Sequence, residues 1–86
     1  MSWRPEWTDR AVKEAARLDR KTRERIIAAV ERLAATEQGD VKRLTNVRPP
    51  EWRLRVGDWR IIFAFLAESR TLQMRHVRPR GSAYRD

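Results

Sequence analysis

The sequence has no cysteine, a single histidine (His76) and only three glycines. Without thiols there is neither a disulfide framework nor a thiolate zinc site. With one imidazole, no His/Asp/Glu metal constellation and no convincing Ser-His-Asp set can assemble, so no metal or other cofactor is expected. No apolar run approaches the roughly 20 residues that a membrane span needs, and the first residues carry no apolar signal-peptide core. A cytoplasmic location away from membranes is the expectation. The isolated glycines form no phosphate-cradling loop. Repeats, low-complexity tracts and linkers are also missing, so residues 1–86 read as one domain. At this length the core is small and unstapled, and stability has to come from helices packed on a sheet.

Basic charge is what the chain does have. Its net charge is +8, and the excess is uneven. Residues 1–41 hold nine basic and eight acidic side chains, whereas residues 42–86 hold eleven basic and four acidic. In that second half Lys42 is the only lysine. Arginine's planar fork grips phosphate in two places and stacks on bases, so a basic half of this kind points to RNA or DNA as partner. A merely solubilising surface is the plainer alternative.

Residues 52–66 concentrate this signal. Two period-2 runs meet at Gly57-Asp58, a two-residue primed hairpin turn. That turn sets Val56 opposite Trp59, Arg55 opposite Arg60, Leu54 opposite Ile61 and Arg53 opposite Ile62. One face then carries Trp52, Leu54, Val56, Trp59, Ile61, Phe63 and Phe65; the other carries Arg53, Arg55 and Arg60. Like charges facing each other on a sheet are destabilising. Keeping them there implies an anion to bind, and a nucleic-acid backbone is the one expected.

Around the hairpin, residues 2–7 alternate but contain Pro5, which restricts them to an edge strand. Thr8 or Asp9 can cap a helix running to about Leu18. Asp19 caps a second, over residues 22–36, with Ile26, Ile27, Val30, Leu33 and Ala34 on one side. Gly39 is placed to end it. Residues 41–47 are a short strand or a loop entry, and Pro49-Pro50 marks irregular chain. After a turn at Glu68-Ser69, residues 71–77 alternate again. Pairing Phe65 with Leu72 sets Phe63 beside Met74 and Ile61 beside His76, and puts Arg75 on the arginine face opposite Ile62. His76 then reads as a packed structural histidine. Trp52 and Trp59 read as core, Trp3 and Trp7 as undecided, and Asp58 is accounted for by its turn. The predicted fold is α+β, in the order β-α-α-β-β-β. A helical hairpin covers one face of a small, mainly antiparallel sheet whose other face is basic and open.

The run Trp52-Arg-Leu-Arg-Val-Gly-Asp-Trp-Arg-Ile-Ile-Phe resembles the aromatic-Arg-Leu-Arg-Val-Gly-Asp-Tyr-Arg hairpin of the RelE/ParE toxin superfamily. The ending Arg78-Pro-Arg-Gly-Ser-Ala-Tyr84-Arg is similar to its C-terminal arginine-then-tyrosine signature. The resemblance covers essentially the whole chain and implies a RelE-like toxin of a type II toxin–antitoxin system. In the RelE branch such a toxin is an endoribonuclease that cleaves messenger RNA on the ribosome, in the decoding A site. The ribose 2′-hydroxyl attacks the neighbouring phosphate and leaves a cyclic phosphate and a 5′-hydroxyl. Carried over by position, the catalytic residues are Arg53, Arg55, Arg60, Arg80 (or Arg78) and Tyr84. Lys42, Arg43, Arg75, Arg78 and Arg85 are expected to contact RNA around them. A small cognate antitoxin is the implied protein partner.

The residue chemistry fits part of this. Arginines suit stabilisation of a phosphorane, but a guanidinium with pKa above about 12 makes a poor acid. A tyrosine starting near pKa ~10 is pushed toward phenolate by neighbouring arginines and can serve as base. The leaving-group acid is unassigned. Two other classes stay open: a ParE-like inhibitor of DNA gyrase with no catalytic centre, and an inactive nucleic-acid-binding relic.

Overall fold

The computed structural model describes residues 2–81. Its elements run β1 (Arg4–Trp7), α1 (Asp9–Ala16), α2 (Arg20–Thr36), β2 (Asp40–Arg43), β3 (Trp52–Val56), β4 (Trp59–Leu66) and β5 (Thr71–Pro79). The strands form one sheet in the order β1-β5-β4-β3-β2, with β1 parallel to β5 and every other pair antiparallel. Two helices on a mostly antiparallel sheet is the α+β architecture expected. The sheet has one strand more than expected, because β2, ambiguous in sequence, is a true edge strand paired with β3. Among the described residues, no helix is long and apolar enough to cross a membrane.

Local chemistry sets the helix ends. The Thr8 hydroxyl accepts from the Ala11 amide at 3.1 Å, and the Asp19 carboxylate accepts from the Thr22 amide at 3.2 Å, each satisfying an otherwise orphaned donor. The Thr22 hydroxyl and amide together hold the Asp19 carboxyl below its usual range. Gly39 does not end α2 as expected; Glu37 does, in the left-handed region at φ 59°, donating its N–H to Leu33 O at 2.8 Å. Gly39 instead packs close to the core, since a Cβ there would stand 3.0 Å from Leu54 Cδ1 and the leucine would have to give by a few tenths of an ångström.

On the helix side, the rows Val41–Leu54–Ile61–Val77 and Trp52–Phe63–Met74–Trp7 cross the sheet. They pack with Ala11, Ala15, Ile26, Val30, Leu33 and Ala34 into one core, against which all four tryptophans lie half-buried. The β3–β4 register is the expected one, pair for pair.

The β4–β5 register is the expected one only as far as Phe63↔Met74. A bulge then sets two residues, Arg75 and His76, where β4 has one, so that Ile62 pairs with His76 and Ile61 with Val77. Val77 takes the core position, and His76 moves to the side away from the helices. This corrects the placing of His76 on the apolar face and of Arg75 directly opposite Ile62. Bulges are common where a strand loses its neighbour, and β1 pairs with β5 only as far as Met74. The far face is also less open than expected. Ile62 and Ala64 are buried there, and the Glu51 carboxylate reaches across β4 to Arg75 Nη1 at 2.9 Å.

Candidate nucleic-acid interface

The site grows from the turn. Gly57 has φ +58° and is the one central turn residue with positive φ, the pattern of a II′ hairpin, whose twist matches that of its strands. The tight turn fixes Arg55 opposite Arg60, and β5 sets Arg78 opposite Arg60. Three arginines from three adjacent strands thus form one row on the face away from the helices. Asp40 lies at its β2 end, opposite Arg55. The next row is Lys42–Arg53–Ile62–His76.

Within this frame the expected residues separate. Arg55 is exposed and makes no hydrogen bond or ion pair among the described residues. The Arg60 guanidinium folds over the turn, Nη1 donating to Gly57 O and Trp59 O, each at 3.1 Å. Arg53 is anchored: its Nη1 donates to Asp40 O at 3.0 Å and pairs with Asp40 Oδ1 at 3.1 Å. Arg75 is neutralised by Glu51 and donates from Nε to Gln73 Oε1 at 3.0 Å. Lys42 is exposed in the second row. Arg43 pairs with Trp52 and so belongs to the helix-side register, off the arginine face. Arg80 is exposed beyond the row, its amide donating to Asp58 O at 2.7 Å. Of Arg78 and Arg80, the strand pairing brings Arg78 into the row. Tyr84 and Arg85 lie outside the described residues. Also among the described residues, no group of three or more His, Cys, Asp or Glu side chains could hold a metal ion.

The bulge adds His76, which the sequence reading put on the wrong face. Arg78 Nη2 lies 3.2 Å from its Nδ1. A guanidinium can only donate, so Nδ1 accepts and the neutral ring carries its proton on Nε2. Burial pushes the imidazole below its ordinary value, helped by Arg78 and Arg10 against the opposing pull of Glu14 and Glu51. At neutral pH the ring is therefore uncharged, a hydrogen-bond donor at Nε2.

A stability consequence follows. The folded pKa is depressed, so as pH falls the unfolded chain takes up this proton first. The contribution is complete above about 6.5, the ordinary histidine value, and is lost as pH falls through the lower folded pKa. Urea unfolding of the parent is expected to show a larger loss between pH 7.5 and 5.5 than that of His76→Gln. Equal losses would mean that the ring is solvated as in the unfolded chain.

A model of the "ParE toxin of type II toxin-antitoxin system, parDE" matches residues 6–84. Among solved structures, a chain of the archaeal RelE–RelB complex from Pyrococcus horikoshii OT3 superposes with TM-score 0.78 at 24% identity, covering 96% of this chain and 100% of that one. A chain of the toxin–antitoxin complex RelBE2 from Mycobacterium tuberculosis does so with TM-score 0.83 at 16% identity, covering 95% of each. The isolated RelE toxin of E. coli gives TM-score 0.73 at 19% identity, covering 95% of this chain and 88% of that one. At such identities these likenesses concern the fold. No curated protein matches the chain.

Proposed function

The chain belongs to the ParE toxin family of type II toxin–antitoxin systems, within the RelE/ParE superfamily, and from that premise we propose that it is an endoribonuclease acting on messenger RNA at the ribosome, in the cytoplasm. The observation that carries this reading is the arginine row Arg55–Arg60–Arg78 across three strands. Opposed guanidiniums repel one another and lower stability. A phosphodiester laid across them turns that repulsion into attraction, which strengthens as charge builds on the phosphorane.

In the reaction the 2′-hydroxyl gives its proton to a base while its oxygen bonds to phosphorus. The bond to the 5′-oxygen breaks, and that oxygen takes up a proton. The row supplies charge stabilisation at the phosphoryl oxygens, with neutral His76 beside it as a donor. By the family resemblance Tyr84 serves as the base or stacks on a nucleobase. The arginines hold their protons too tightly to act as the acid.

The match to a ParE model favours a second reading, in which the chain inhibits DNA gyrase and the same basic face docks a protein. In either case we propose a cognate antitoxin as the partner that neutralises it. Structural neighbours from P. horikoshii and M. tuberculosis are toxin–antitoxin complexes, which supports this.

Mapping transcript ends in cells expressing the chain without an antitoxin separates the readings. The expected result is growth arrest with cuts inside translated messages. Arrest with intact messages and accumulated DNA breaks would favour gyrase. Normal growth at high levels of folded protein would mean an inactive relic.

A further inference from the structure

We propose that α1 carries a second phosphate-binding track, in which Arg10, Lys13 and Arg17 continue the arginine row and hold the backbone of single-stranded RNA beyond it. This rests on the nucleic-acid reading above.

The placement comes from how α1 docks. β1 leaves the second half of β5 without a strand on that side, where α1 takes its place. The Thr8 amide donates to Met74 O at 3.0 Å, and the Val77 amide donates to Glu14 Oε1 at 2.8 Å. This sets the outer stripe of α1 beside Arg78. Arg10, Lys13 and the C-cap residue Arg17 stand at i, i+3 and i+7, one face of a helix, over about 10 Å of its length. With Glu14 and Arg78 they line a groove of ≈ 520 Å³.

Glu14 is the one carboxylate in that lining, and it is already engaged. Besides accepting from the Val77 amide, it lies 3.6 Å from Arg78 Nε. The three stripe cations are exposed, and among the described residues their side chains make no ion pair or hydrogen bond. Like charges at these helical spacings are unfavourable. They are left unneutralised where the helix abuts the arginine row. Arg10 also contributes to depressing the His76 pKa, so its field reaches the face that carries the row.

Together Arg55, Arg60, Arg78 and the stripe form a continuous cationic path from β3 over the edge of β5 onto α1. A linear polyanion fits such a path. An acidic protein segment is the competing occupant, and the test sets the two apart.

The experiment measures equilibrium binding of a 2′-O-methyl oligouridine, which has no nucleophile and is not cut, at increasing potassium chloride. Each phosphate contact on a single strand contributes about 0.7 to the slope of log affinity against log salt. The triple variant Arg10→Gln/Lys13→Gln/Arg17→Gln is therefore expected to lower the slope by about 2. Lys13→Gln alone, an exposed change that keeps the fold in play, is expected to lower it by about 0.7.

Unchanged slopes in both variants overturn the track, and so does weakened binding of polyglutamate with RNA binding intact. Transcript mapping with the parent runs alongside. A parent that cuts transcripts but whose variants keep the full slope refutes the track alone. A parent that binds the oligouridine with the stripe-dependent slope yet cuts nothing keeps the track and refutes the nuclease. A parent that does neither refutes both.

Discussion

Arg60→Ala is expected to abolish nearly all cleavage while leaving the fold intact. Arg60 is the centre of the row, opposed by Arg55 on one side and Arg78 on the other. A phosphate spanning the row has to pass over it. A charge-assisted contact is worth about 1.5–3 kcal/mol, roughly tenfold to more than a hundredfold in rate when it forms only in the transition state. The loss of stability should be small, because the side chain hangs over the turn, bonded to the Gly57 and Trp59 carbonyls, and contributes nothing to the core. Those two bonds are lost, but so is the repulsion from Arg55 and from Arg78, the latter partly offset by Glu14 at 3.6 Å from Arg78 Nε, so the melting temperature should change little. Arg60→Lys keeps the charge without the planar fork and should recover only part of the rate. The measurement is cleavage of a translated message by purified protein, beside a thermal melt. If Arg60→Ala cuts like the parent at equal stability, the row is not the phosphate site and the gyrase reading takes the lead.

The hairpin was legible because its signals are local. Gly57-Asp58 fixes the turn, the turn fixes the register, and strict alternation on both sides assigns the faces with no knowledge of the rest of the chain. The two helices were legible for the same reason, from their caps and apolar spacing, although Ile27, read as part of the apolar side of α2, is exposed. β2 was not, because an edge strand with Val41 as its one apolar residue has no pattern to read. The end of α2 at Thr36 was legible, but the residue that caps it was not, for want of tertiary knowledge. Gly39 looks like a terminator, but it lies close against Leu54, and Glu37 takes the left-handed position.

The bulge in β5 cost more, since it reverses every assignment after it. One sign of it does stand in the sequence. Leu72 and Met74 are two apart, but the next apolar residue is Val77, a spacing of three that breaks the strand period. Taken seriously, that phase change would have sent His76 to the arginine face and Arg78 into line with Arg60. The basic stripe of α1 was hidden by near-neutral charge. Counting charges in the N-terminal half cancels Arg10, Lys13 and Arg17 against carboxylates, whereas in space Glu14 is committed to a strand edge and neutralises none of them.

Phe63→Ala is expected to be the most damaging single substitution to the fold. Phe63 is fully buried at the middle of the row Trp52–Phe63–Met74–Trp7, with the Phe65 ring edge-on at 5.2 Å. Removing the ring loses its transfer free energy and leaves a cavity that the sheet, pinned by strands on both sides, cannot close, a cost of about 3–5 kcal/mol. A domain of this length holds only about 4–13 kcal/mol in all. The melting temperature should therefore drop by at least ~12 °C, enough to unfold a weakly stable parent at growth temperature. Phe65→Ala should cost less, because that ring is half-buried at the rim between Trp3 and Trp52. Both core variants also lose toxicity, but for a reason that separates them from Arg60→Ala: their soluble folded fraction falls with it. A Phe63→Ala protein that melts within about 4 °C of the parent, less than 1 kcal/mol in a domain of this size, would mean that the helix-side rows do not form the core, and the assignment of the arginine face would fall with them.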